Sequence, residues 1–159
     1  MGKMSVDIET FSSIDLKKSG VYRYVEAPDF DILLIGFSID GGPVEVIDCT
    51  ARHNNYEEEK KMVQFKKHLY DPECIKKAFN ANFERTCLAK WTVEAMPPEQ
   101  WRCTMIKGLT LGLPGNLADV GKALGLPEDK LKDPQGKAMI QFFSKPCKPT
   151  RANGMRTRN

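Results

Sequence analysis

The sequence predicts an α/β fold on a mixed sheet: an antiparallel three-strand meander, then parallel strands, with flanking helices. Three observations lead there. Apolar and polar residues alternate through Met4-Ser5-Val6-Asp7-Ile8-Glu9, the period-two pattern of a half-buried strand. Two β-rich runs, 30–39 and 44–48, flank Asp40-Gly41-Gly42-Pro43, whose turn chemistry makes them a hairpin. Later, a short run at 75–81, a helical pattern from Asn82 and another short run at 100–104 give strand, helix, strand. That is the order of a crossover joining a parallel pair.

The elements follow in order. After the first strand, Ser12 or Ser13 is a candidate cap for a short helical turn that Gly20 ends. Residues 21–26 fit either a second short helix or an extended piece. Glu57 to Tyr70 is an amphipathic helix, with Met62, Phe65 and Leu69 at helical spacing, and Asp71-Pro72 stops it. Asn82 is the candidate cap of the next helix, which runs through Cys87, Leu88 and Trp91. Met105 to Leu113 is helical up to Pro114-Gly115. Asn116 caps a helix over 117–124, whose expected core face is Leu117, Val120, Ala123 and Leu124. A last helix starts at Asp133-Pro134 and passes through Met139, Ile140, Phe142 and Phe143.

Composition narrows the class. A chain of 159 residues, 41% hydrophobic and 28% charged, fits one ordinary globular domain. No apolar run nears the roughly 18 residues that span a bilayer, and no secretory apolar stretch follows the first Met. The five cysteines are widely spaced with no CxxC pair, which speaks against a zinc site or disulfide framework and for reduced thiols in a cytoplasmic setting. His53 and His68 read as bystanders. The net charge of +3 is uneven: residues 1–133 carry −3, and the segment beyond Asp133 carries six cations and no acid. The expected organisation is a domain over 1–145 and a basic, flexible tail over 146–159, suited to phosphate contact.

Asp7 and Glu9 share one face of the first strand. Alone, such a pair is a solvated strand face more often than a metal site. Glu84 changes the weighing, because it falls just past the end of the 75–81 strand. Sites in α/β sheets lie at the carboxyl ends of strands, so neighbouring strands would bring the three carboxylates together. Acids so placed can hold two divalent cations roughly 4 Å apart.

These residues carry a resemblance. Asp7-Ile8-Glu9-Thr10 resembles the first motif of the DEDD 3′-5′ exonucleases, and Asn80 to Arg85 resembles their second, with Glu84 where most members have Asp. The runs at 13–22, 79–85, 101–105 and 143–150 resemble the N-terminal exonuclease region of phage and prophage DNA polymerases of the polymerase I type (family A). The resemblance implies a ribonuclease H-like fold and hydrolysis of phosphodiesters at DNA 3′ ends by a pair of Mg²⁺ or Mn²⁺ ions. It implies that Asp7, Glu9 and Glu84 are catalytic and bind metal, that Thr10 and Asn80 contact the 3′-terminal nucleotide, and that the partner is single-stranded DNA or a DNA 3′ end. The setting would be the cytoplasm of a bacterial host or phage-infected cell.

The chain departs from the family in one respect. The third motif needs an Asp with a Tyr or His that orients the attacking water, yet no tyrosine follows Tyr70 and no histidine follows His68. The resemblance therefore implies a domain that stops short of its third motif and lacks the polymerase domain. Three readings follow: a polymerase fragment with a weak or inactive exonuclease site; a nucleic-acid-binding domain that does not cut, or is completed by a partner chain; and an interaction domain that keeps the fold.

Overall fold

The computed structural model describes residues 2–50 and 56–127. The expected helix from Asp133, the tail over 146–159 and the loop holding His53 lie outside these residues. Five strands form one sheet: β1 (Lys3–Phe11), β2 (Asp31–Ile39), β3 (Glu45–Asp48), β4 (Ile75–Ala78) and β5 (Trp101–Cys103). Their order is β3-β2-β1-β4-β5. β1–β2 and β2–β3 pair antiparallel; β1–β4 and β4–β5 pair parallel. The expected meander and parallel extension are both present, and the mixed sheet with flanking helices agrees with the ribonuclease H-like expectation.

The alternation in β1 decides its two faces. Met4, Val6 and Ile8 are buried, whereas Ser5 and Asp7 are exposed and Glu9 is half-buried. By register Val6 lies opposite Phe37 and Ile8 opposite Ile35, so these share a face. Phe37 packs against Phe65 of α2 (Tyr56–Tyr70), ring centroids 5.5 Å apart. Phe65 and Leu69, the apolar stripe expected of this helix, are fully buried. Three glutamates in its first turn and Lys67 and His68 in its last suit the helix dipole. The hairpin turn is as expected: Asp40 and Gly41 both have positive φ, and Gly42 N–H donates to Ile39 O at 2.8 Å.

Several local details differ from expectation. The cap of α1 (Leu16–Tyr24) is Asp15, whose carboxylate accepts Lys17 N–H at 2.9 Å; neither serine caps it. Both serines are taken elsewhere: Ser12 Oγ donates to Tyr24 O, and Ser13 N–H and Oγ donate to Asp29. Gly20, with φ 74° and ψ 168°, kinks the chain, and the helix resumes over 21–24. β4 ends at Ala78, and α3 (Ala81–Thr92) starts two residues before a cap at Asn82 would place it, which moves the cap position to Asn80.

α4 (Thr104–Thr110) also ends early, where Gly112 turns at φ 77° and Leu113 N–H returns to Gly108 O. α5 (Leu117–Ala123) is capped by Asn116 as expected, its side chain accepting Asp119 N–H at 2.9 Å. Its expected core face is not buried. Leu117, Ala123 and Leu124 are exposed and Val120 is half-buried. Helical spacing defines a stripe, but not whether another element covers it.

Candidate active site

The carboxyl ends of β1 and β4 bring the sequence-predicted residues into one region. Asp7 and Glu9 point away from the α2 face. Across the ladder Asp7 lies directly opposite Gly36, which carries no side chain. The register slips between Glu9 and Thr10, where Leu33 is the extra residue on β2. Such irregularities re-aim side chains and recur beside active sites.

Glu84 sits in the first turn of α3 and is 4% exposed. Its Oε2 has no hydrogen-bond partner among the described residues. Burial pushes its carboxyl up to about 7, a bond from its own backbone N–H opposes the rise, and the charge on Asp7 adds to it. The strand acid and the helix acid thus feel each other. The next turn of α3 carries Cys87, buried, whose thiol is also driven up, first by burial and then by Glu84.

Thr10 is buried and shares a 2.9 Å hydrogen bond with the hydroxyl of Tyr24. Its hydroxyl is thereby engaged inside the protein. Asn80 occupies the cap position of α3, yet its side chain makes no capping bond and is exposed. That leaves its amide for an outside partner. Asn82 Oδ1 instead accepts from Tyr22 Oη at 3.2 Å and from Arg85 at 3.4 Å. The turn after β4 is tied to α4, where Met105 N–H donates to Phe79 O at 2.9 Å and Thr104 Oγ1 to Ala78 O at 3.2 Å.

The sequence reading missed Tyr24. Its ring packs edge-on against Phe30 at 5.8 Å and tilted against Phe83 at 6.2 Å. Burial raises its phenol, the bond with Thr10 opposes that, and charges including Glu9 raise it further. Nothing in the sequence marks Tyr24, because the segment holding it was compatible with helix or extended chain.

Among the described residues no group of three or more His, Cys, Asp or Glu side chains lies close enough to hold a metal ion. Asp7, Glu9 and Glu84 therefore share a region without closing into a ready three-ligand set. The donor chemistry nonetheless fits a hard divalent cation. Carboxylate oxygens are the ligands Mg²⁺ and Mn²⁺ take, and Glu84 offers a buried oxygen that no group among the described residues satisfies.

The chain is similar to part of a phage DNA polymerase. It is 52% identical over all 159 residues to a DNA polymerase of Bacillus phage SP02, and spans 23% of that protein's length. Among solved structures, a family B DNA polymerase from the hyperthermophilic archaeon Pyrobaculum calidifontis matches 76% of this chain and 12% of its own, at 18% identity and a TM-score of 0.35. No family model matches the chain. Among the described residues no helix is long and apolar enough to cross a membrane.

Proposed function

We propose that this chain is the 3′-5′ exonuclease portion of a DNA polymerase, which binds DNA 3′ ends and hydrolyses phosphodiesters with Mg²⁺ or Mn²⁺. The observation that carries the reading is the buried Oε2 of Glu84, unpartnered among the described residues, in a carboxyl raised first by burial and further by the charge of Asp7. Proteins seldom leave a buried carboxylate oxygen unsatisfied, and a strongly perturbed acid beside a second one marks a functional site. The exonuclease-type motifs at Asp7-Ile8-Glu9-Thr10 and 80–85, and the likeness to a phage polymerase, point the same way.

Asp7, Glu9 and Glu84 would hold the metal. A bound pair of cations would activate a water and stabilise the leaving oxygen of the phosphodiester. The protein's own part is to present the acids. β1 fixes Asp7 and Glu9 two residues apart on one face, α3 sets Glu84 at its amino end, and the Thr10–Tyr24 bond holds the irregular step beside Glu9. Asn80 presents its amide to the terminal nucleotide. Thr10, with its hydroxyl occupied by Tyr24, serves that nucleotide through its backbone and through the shape of the step.

The test is a melting experiment at pH 8 with and without Mn²⁺. Wild type should be stabilised by roughly 2–3 kcal/mol at a concentration of one hundred times Kd. Asp7→Asn and Glu84→Gln should remove the shift. No shift in wild type at millimolar Mn²⁺ sinks the metal reading. A second reading, a domain that binds nucleic acid without cutting, is favoured by the open arrangement of the three carboxylates. It predicts no shortening of a 5′-labelled oligonucleotide even where Mn²⁺ binds.

A further inference from the structure

The helix α1 is unusual in charge. It carries Lys17, Lys18 and Arg23 and no acid. All three cations are exposed, and none has an ion-pair partner among the described residues. The acids nearest in sequence are engaged: Asp15 caps the helix, and Glu26 pairs with Lys90 at 3.2 Å. Between the cations stands Tyr22, 64% exposed. Its hydroxyl donates to Asn82 Oδ1 at 3.2 Å, two residues before Glu84 on α3. An exposed aromatic ring is thus anchored at its far end, on the turn that carries the buried acid. The neighbouring Tyr24 turns inward and bonds Thr10, next to Glu9. The segment after the Gly20 kink is therefore fastened to both acid-bearing elements.

We propose that α1 is a single-strand guide leading into the acid site: the Tyr22 ring stacks on a base of single-stranded DNA, and Lys17, Lys18 and Arg23 take its phosphates. This rests on the nucleic-acid reading above and adds to it a surface that the sequence placed only in the basic tail. Aromatic rings serve as base platforms because every base has a π face, and a run of cations tracks the backbone. Anchoring removes ring motion that binding would otherwise have to freeze.

The experiment is fluorescence anisotropy of a labelled oligothymidylate with the 159-residue chain, in EDTA and at low salt. EDTA separates the two proposals, since binding on α1 needs no metal and the Mn²⁺ melts need no DNA. Wild type should bind, and Tyr22→Ala should weaken binding about ten-fold. Tyr22→Phe, which keeps the ring, should lose less than about three-fold. The combined Lys17→Ala, Lys18→Ala, Arg23→Ala variant should lower the slope of log K against log salt by about two. All of these side chains are exposed, so the variants should melt like wild type. Absence of wild-type binding overturns the proposal. So does binding that neither Tyr22→Ala nor the charge variant changes, or duplex binding as tight as single-strand binding.

Discussion

Two buried charges sit at opposite ends of the parallel strands, and the protein treats them differently. At the amino end, Lys76 is fully buried, and its ammonium donates to Asp71 O at 2.7 Å and to Gln100 Oε1 at 2.8 Å. Asp71 follows directly on α2, so the cation lies where the helix dipole is negative. Burial still lowers its pKa. At the carboxyl end, Glu84 is almost as buried, and one of its oxygens has no partner among the described residues. A satisfied buried charge ties elements together: Lys76 joins β4 to the segments leading out of α2 and into β5. An unsatisfied one is a cost that something outside the chain can relieve.

The difference predicts opposite mutational signs. Lys76→Ala should be the most damaging change, about 3–5 kcal/mol in urea unfolding, since it leaves two partly buried acceptors unpaired and a void along the lost, fully buried stem. A loss below about 1 kcal/mol would mean that the two hydrogen bonds hold nothing together. Glu84→Gln should stabilise. Its carboxyl titrates at about 7 in the folded protein against an ordinary 4.5. Between those values the native state keeps a proton that the unfolded chain has released, so stability falls as pH rises through the window and levels off above it. Glu84→Gln should therefore gain up to about 3 kcal/mol at pH 8 and almost nothing at pH 4. A gain that does not vary with pH would break the comparison.

The smallest effect sharpens the picture at the carboxyl end. Tyr24→Phe removes the partner of a buried hydroxyl and should cost about 1–2 kcal/mol. Thr10→Val should cost a similar amount, and the double variant less than the sum, because neither group is then left unpaired. Strict additivity in a double-mutant cycle would show that the bond is not shared.

Much of this contrast was legible in the sequence, and its decisive part was not. The alternation of Met4, Val6 and Ile8 with Ser5, Asp7 and Glu9 depends only on the strand period, so the sheet confirmed it. Asp40-Gly41 was readable for the same local reason, because few residues accept two successive positive φ angles. Asp15 was overlooked as a cap because Ser12 and Ser13 suit that role equally well, and only tertiary partners such as Asp29 decide between them. The exposed stripe of α5 fails in the same way. For the candidate site, pattern alone singles out Asp7, Glu9 and Glu84, but the orphaned oxygen of Glu84 and the engaged hydroxyl of Thr10 come from packing between distant segments. Lys76 reads as one of two adjacent strand lysines, and the register opposite Met4 alone sends it inward.

The order β3-β2-β1-β4-β5 puts β1, the earliest in sequence of these five strands, in the middle of the sheet. During synthesis β1 acquires one neighbour once residue 39 has emerged from the ribosome, and its other only after residue 78. While residues 40–78 are being made, a strand carrying Met4, Val6 and Ile8 has the β4-pairing edge open. Open edges of this kind are templates for pairing with other chains, and Asp7 and Glu9 ride on it. Slow translation between β2 and β4 is therefore the interval in which a nascent chain is most exposed to misassembly.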